Sequence, residues 1–227
     1  MNAIILCGGL STRLGDIAKS VPKILLPIKN RSVLSYQIQK LKEIGINEVI
    51  LAAGHLAEEL YDQVGDELDG IKLLYSIEKE KLGTGGAIKQ AKSLIKNEEP
   101  TIVLNGDVLT AANLNEMLKN LKKESDGIIL GSAVEDASNY GTLYFDDDFH
   151  LLEFKEKEGL TKKGYINGGI YLFNSSAFNY FPSEKNFSIE YDVFPKIKNL
   201  YVYSSDDLWV DIGVPERLKW ARDNWIQ

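Results

Sequence analysis

Cysteine is almost missing from this chain: Cys7 is the only one among 227 residues. No internal disulfide can form, so stability has to come from a packed core, and such thiol usage fits a cytosolic, reducing home. Histidine is scarce too, with His55 and His150 alone and no zinc-ligand spacing around either. No apolar run approaches the ~18 residues that cross a bilayer, so no membrane partner is expected. Met1-Asn2-Ala3 leads straight into apolar sequence without a basic segment or cleavage pattern, which argues against a secretory signal. Basic charge is in deficit: 26 Lys and Arg stand against 33 Asp and Glu, for a net charge of −7. A surface of that sign repels a phosphodiester backbone, so no nucleic-acid partner is expected. A small phosphorylated ligand is still allowed, because two or three local cations suffice to hold it.

Catalytic signatures are thin as well. There is no nucleophile elbow and no triad arrangement. The glycine stretch at 8–13 reads GGLSTR, which fits neither the dinucleotide pattern G-x-G-x-x-G nor the Walker loop. These absences favour chemistry that needs no protein nucleophile and no strong base.

What is present is alternation. Apolar runs at 3–7, 47–53, 71–77 and 101–107 read as buried strands, and 33–44, 56–68 and 113–124 read as helices between or after them. Ser32 is a plausible N-cap for the first helix and Gly45 its stop, while Asn113 or Asn115 stands near the start of the third. Strands alternating with helices imply a parallel sheet with right-handed crossovers. From 127 to 173 the pattern turns β-rich (GIILGSAV, GTLYFD, LLEFKEK, YINGGIYLF), as an insertion or meander would. Short helices are expected at 175–181 and 188–197, then the strand pair YVYS and WVDI and a closing helix over 215–225. The length suits one domain, and the expected fold is α/β, with three Rossmann-like α/β/α layers, a mostly parallel sheet and a small β-rich insertion.

Ligands of open α/β sheets bind at the carboxyl ends of the strands. Gly8-Gly9, the 82–86 loop and Asn105-Gly106-Asp107 all fall at or near such ends. Glycine lets backbone N–H groups approach phosphate oxygens, Arg13 could fork onto a phosphate, and Lys23 could supply a point charge behind Pro22. The same residues also fit a tight strand-to-helix turn with two solvated cations. Asp107 and Asp211 each end an apolar strand beside a glycine, where they could share a hard cation or cap backbone N–H groups. His55 follows another strand end and reads as a loop residue. Trp220 and Trp225, on the closing helix, either pack on the sheet or mark a homodimer contact.

In Gly8-Gly9-Leu10-Ser11-Thr12-Arg13-Leu14, followed by Pro22-Lys23 and Pro27, the chain resembles the sugar-phosphate nucleotidyltransferases. The resemblance continues in family order through EKEKLGTGGAI (78–88), LNGD (104–107), FKEK (154–157), YINGGIYLF (165–173), FSIEYDVFP (187–195) and WVDIGVPERL (209–218). It implies one nucleotidyltransferase (GT-A-like) catalytic domain over 1–227, with Mg²⁺ as cofactor and an NTP and a sugar 1-phosphate as substrates. It further implies that Gly8, Gly9, Ser11 and Thr12 cradle the triphosphate, that Leu6 contacts the nucleotide and that Arg13 and Lys23 act on its phosphates. Gly83, Thr84 and Gly85 would seat the base, with Asn105 and Gly106 beside the nucleotide. Asp107 and Asp211 would bind the metal, Glu156, Asn167, Gly168 and Glu190 the sugar hydroxyls, and Lys157 the sugar phosphate. Two departures stand out: Ser11 replaces a usual glycine and Asp16 a common proline. Within the family the segments most resemble the enzymes that join GTP to D-glycero-α-D-manno-heptose 1-phosphate for bacterial surface polysaccharides. Mannose 1-phosphate guanylyltransferases and N-acetylmuramate 1-phosphate uridylyltransferases are the runners-up. A non-catalytic sugar-nucleotide-binding regulator is the alternative of another class.

Overall fold

The computed structural model describes residues 1–156, 159 and 162–225. In chain order the elements are β1 (Asn2–Leu6), β2 (Pro27–Ile28), β3 (Arg31–Ser32), α1 (Val33–Glu43), β4 (Glu48–Ala53), α2 (Ala57–Val64), β5 (Glu67–Leu68) and β6 (Ile71–Ile77). Then come α3 (Gly83–Lys92), β7 (Thr101–Asn105), β8 (Val108–Thr110), α4 (Leu114–Lys119), β9 (Gly127–Val134), β10 (Thr142–Phe145), β11 (Leu151–Lys155) and β12 (Gly164–Phe173). The chain closes with α5 (Ile189–Asp192), β13 (Leu200–Ser205), β14 (Trp209–Asp211) and α6 (Pro215–Asn224). No helix among the described residues is long and apolar enough to cross a membrane.

Among the described residues one ten-stranded sheet dominates, running β11-β10-β12-β7-β1-β4-β6-β5, with β9 paired to β12 and β13 to β9. Its centre, β7-β1-β4-β6, is parallel, as the strand–helix alternation implied. The turn to antiparallel pairing comes at β12 against β7, where the β-rich stretch begins. Alternate side chains of the strands feed two cores. Ala3, Ile5, Leu51 and Leu104 pack beneath α1, α2, α4 and α6. Ile4, Ile50, Val103 and Tyr171 pack beneath α3 and α5. That period of two gives three layers, helix on sheet on helix.

Local chemistry sets the ends of the helices. Ser32 caps α1, its hydroxyl accepting from Ser35 N at 3.1 Å, and Gly45 leaves the helix with φ +82°. Asn113 Oδ1 accepts from Asn115 N and Glu116 N at the start of α4. The helix expected over 56–68 stops at Val64, because the chain turns at Gly65 and returns as the β5–β6 hairpin. Asp69 and Gly70 both take positive φ there, the turn an Asp-Gly pair favours. The helix expected over 188–197 is one turn, α5, followed by a 3-10 turn at Phe194–Lys196, since Pro195 cannot continue an α-helix. The third helix ends at Lys119 rather than 124, and 175–180 forms a 3-10 helix. YVYS and WVDI do not pair with each other: β13 joins β9, and β14 joins β8. Trp225 is buried and meets Tyr36 edge-on at 6.3 Å, so it packs inward, while Trp220 is exposed.

Candidate active site

The parallel register brings three strand ends together: Leu6 lies between Ala52 and Asn105. The chain leaves these ends as Cys7-Gly8-Gly9, Gly54-His55 and Gly106-Asp107, and the cleft opens above them. The chain packs closely at two of these glycines, and at Gly106 the contact is with backbone. A Cβ on Gly8 would stand 2.4 Å from Glu78 Oε1 and 3.1 Å from Gly54 N. One on Gly106 would stand 2.5 Å from the Leu6 carbonyl oxygen. Cys7 lines the cleft, and burial, then the Glu78 charge, push its thiol pKa up.

One half of the cleft is lined by Leu6, Gly8, Gly9, Lys23, Glu78, Lys81, Gly83, Thr84, Asn105, Gly106 and Asp107. Leu10, Ser11, Thr12, Arg13 and His55 continue it outward. Ser11 adopts a left-handed backbone (φ 52°, ψ 27°), the region glycine enters without strain. Its hydroxyl donates to the Gly9 carbonyl at 3.3 Å. Asp16 is exposed and ion-paired with Lys19, and Gly15, just before it, kinks the 3-10 stretch Thr12–Ala18.

The other half is lined by Arg13, Asn105, Asp107, Asn139, Tyr140, Glu156, Asn167, Glu190, Tyr191, Trp209, Asp211 and Arg217. Pairing of β14 with β8 places Asp211 opposite Val108, and Ile212 N donates to the Asp107 carbonyl at 2.9 Å. Thus two carboxylates a hundred residues apart in sequence reach one cavity. Each already meets a cation. Lys23 Nζ donates to Asp107 Oδ2 at 2.6 Å, and Arg217 Nη2 to Asp211 Oδ1 at 2.7 Å. Gly213 N also donates to Asp211 Oδ1, at 2.9 Å. Tyr140 stands beside this pair under the Arg217 guanidinium; burial, then the Asp211 charge, push its hydroxyl pKa up.

The residues expected on the sugar side are tied into networks. Glu190 Oε2 accepts from Thr84 Oγ1 and Ser188 Oγ, each at 2.6 Å. Asn167 Nδ2 donates to the Tyr171 hydroxyl at 3.0 Å, and its Oδ1 accepts from Gly169 N. Asn105 lines both halves, and its Oδ1 has no hydrogen-bond partner among the described residues. Beneath it, Gln37 Nε2 donates to the carbonyls of Asn105 and Val108 at 2.8 and 2.9 Å, fixing the two ends of the turn that carries Asp107.

Two expected ligand contacts have other partners. Gly85 N donates to the Phe187 carbonyl at 3.0 Å, and a Cβ on Gly85 would stand 2.3 Å from the Phe187 ring. Its glycine serves the packing of α3 against the 185–189 segment rather than an open backbone. Gly168 is buried, its carbonyl accepts from Trp209 Nε1 at 2.9 Å, and a Cβ there would strike Leu130. Lys157 lies outside the described residues. Glu78, Tyr140 and Arg217 were missed by the sequence reading. Glu78 hides in the charged run SIEKEK, whereas Arg217 had a signal, six residues past Asp211 at the start of a helix.

Asp107 and Asp211 fit a hard divalent cation, which takes oxygen ligands from carboxylates, phosphates and water. Among the described residues no third acidic, His or Cys side chain joins them, so the remaining positions would fall to phosphate oxygens and water.

Known proteins give the same frame. The family model for nucleotidyl transferases matches residues 2–225. The chain is 43% identical to the D-glycero-alpha-D-manno-heptose 1-phosphate guanylyltransferase of Campylobacter jejuni subsp. jejuni serotype O:2, covering 95% of this chain and 96% of that protein. To the same-named protein of Aneurinibacillus thermoaerophilus it is 36% identical, covering 98% and 97%. The crystal structure of HddC from Yersinia pseudotuberculosis complexed with GMP-PN superposes with a TM-score of 0.85 at 32% identity, over 98% of both chains. With a matching fold, a cleft at the strand ends and likeness along nearly its whole length, the chain belongs to the nucleotidyl transferase family.

Proposed function

We propose that this chain is a Mg²⁺-dependent guanylyltransferase that joins GTP to a sugar 1-phosphate, D-glycero-α-D-manno-heptose 1-phosphate, giving GDP-heptose and pyrophosphate for surface polysaccharide synthesis. The observation that carries this reading is the convergence of Arg13, Lys23, Asp107 and Asp211 on one cleft, with glycine backbone on one side and Glu156, Asn167 and Glu190 on the other. Kinship over the full length to two heptose 1-phosphate guanylyltransferases supports the choice of sugar and base.

Charge explains the residues. A phosphomonoester has a second pKa of about 6, so its oxygen is ionised near neutrality and needs no general base. That oxygen attacks the α-phosphorus, the bond to the bridging α–β oxygen breaks, and pyrophosphate leaves. The difficulty is to hold two anions together in line, which cations and orientation solve. Lys23, inside the cleft on Asp107, would meet the α-phosphate. Arg13, exposed at the rim, would take the outer phosphates. Bound Mg²⁺, held by Asp107 and Asp211, would supply Lewis-acid neutralisation of phosphate charge.

Glu78 supports guanine. Its carboxylate lines the nucleotide half beside Gly8, half buried, and burial raises its pKa. A carboxylate has two acceptor oxygens that match the N1–H and N2–H donors of guanine, whereas adenine offers no such pair. The test is pyrophosphate release from a grid of four NTPs against hexose, aminosugar and heptose 1-phosphates, with and without Mg²⁺. GTP with the heptose phosphate should exceed every other pair. Silence across the whole grid overturns the enzymatic reading in favour of a binding protein, and a different best pair corrects the substrate.

A further inference from the structure

We propose that Arg217 binds the phosphate of the sugar 1-phosphate, across Gly213 from Arg13, which keeps the outer phosphates of the NTP; this rests on the nucleotidyl-transfer reading above. Arg217 belongs to α6, which buries Leu218 and Ala221 in the core. Its guanidinium is held on three sides: Nη2 on Asp211 Oδ1 at 2.7 Å, Nε on the Asp211 carbonyl at 3.1 Å, and its centre 5.4 Å over the Tyr140 ring. These bonds use two of its five N–H donors and leave the plane of the fork fixed.

Gly213 shows where that fork meets the second one. The point where a Cβ would stand lies 2.8 Å from Asp211 Oδ1, 3.1 Å from Arg13 Nη2 and 3.6 Å from Arg217 Nη2. Two guanidiniums therefore converge across one carboxylate, and the absent side chain leaves them room to do so. Lys23 has its own partner in Asp107, and around Gly213 one guanidinium charge is left that the Asp211 carboxylate does not balance. A phosphate dianion complements it, and guanidinium forks match phosphate oxygens. Arg13 lines both halves of the cleft, whereas Arg217 lines the half with Glu156, Asn167 and Glu190. That position assigns Arg217 to the sugar phosphate rather than to the triphosphate.

The test compares the unmodified chain with Arg217→Gln and Arg217→Lys, measuring KM for each substrate that the unmodified chain turns over. The KM for sugar 1-phosphate should rise about 10- to 100-fold in Arg217→Gln and partly recover in Arg217→Lys, with KM for the NTP and the melting temperature unchanged. Calorimetric titration with D-glycero-α-D-manno-heptose 1-phosphate and with the unphosphorylated heptose should show the loss only for the phosphorylated sugar. A fall in kcat with both KM values unchanged would mean that Arg217 only positions Asp211, and overturns the proposal. So does a rise in NTP KM or a loss of pyrophosphate affinity instead. If no substrate pair turns over, it is the functional reading that fails. The titration still decides on Arg217, and equal binding by the unmodified chain and Arg217→Gln, or no binding by either, rejects it.

Discussion

Gly8-Gly9 and Gly83-Thr84-Gly85-Gly86 each follow a strand of the parallel core, and in sequence they look like two versions of one glycine cradle. The structure separates them. Gly9 has nothing within 4 Å of its would-be Cβ and sits exposed at the mouth of the cleft. Gly85 and Gly86 both donate their N–H groups to the Phe187 carbonyl, and a Cβ on Gly86 would lie 2.1 Å from the Lys185 carbonyl oxygen. The first turn leaves its backbone open to a ligand; the second, past Gly83 and Thr84, is filled by protein. A glycine needed for space and a glycine needed for a ligand are the same letter, and only the partner tells them apart.

The sharpest way to test the open turn is through the cation that serves it. Lys23→Ala removes the ammonium beside Asp107, and kcat should fall roughly 100- to 1,000-fold, the usual cost of one lost preorganised charge contact. NTP affinity, measured by equilibrium binding, should weaken far less. Unchanged turnover would take Lys23 out of the chemistry and leave it as a structural partner of Asp107.

The closed turn should fail differently. Gly86→Ala drives a methyl group into backbone that cannot rotate away, and overpacking of this kind costs about 1–3 kcal/mol or more. In a chain of this length that is about 2–12 °C of melting temperature. Gly9→Ala should leave the melting temperature alone and raise the NTP KM instead. If both variants melt early, or neither does, the contrast between the turns collapses.

Much of this fold could be read in the sequence, because period-two apolar strands and capped helices are local signals. Ser32 and Asn113 act as caps where their neighbours' spacing put them. The misread helix over 56–68 had its stop in Gly65 and its hairpin in Asp69-Gly70, a local signal outweighed by the apolar pattern. The site was only half legible. Asp107 and Asp211 share a cavity through the β8–β14 pairing, which no local pattern encodes. Gly85 and Gly168 matched motif positions but face protein, and Arg217 reaches the site only because Asp211 turns its strand end toward α6.

Glu78 bridges the two turns, since its carboxylate touches the space at Gly8 and Oε2 accepts from Leu82 N at 3.3 Å just before the second turn. Burial raises its pKa above the ordinary carboxylate range, so it takes up a proton at a higher pH than an exposed glutamate does. The protonated form has lost an acceptor that guanine needs. The KM for GTP should therefore climb as pH falls through that raised pKa, while the KM for ATP stays flat. Glu78→Gln should lower GTP preference by about tenfold, one charged hydrogen bond's worth, and abolish the pH dependence. A pH-dependent GTP KM that survives in Glu78→Gln places the titrating group elsewhere.

The smallest expected effect concerns Ser11, where a glycine of the family pattern has been replaced. Its left-handed backbone costs a residue with a Cβ about 1–2 kcal/mol. Ser11→Gly relieves that cost but gives the unfolded chain more freedom, which takes back about 0.4–1 kcal/mol. The first term is the larger, so the variant should be more stable by about 0.5–1 kcal/mol, a rise of about 1–4 °C. The hydroxyl donates inward to the Gly9 carbonyl, so removing it should change the NTP KM less than about twofold, far below one charge-assisted bond. A KM that rises tenfold would mean that the hydroxyl turns outward to a phosphate when the nucleotide binds. In that case serine at 11 would be a ligand kept at a conformational cost, and the open turn would hold its triphosphate by side chain as well as backbone.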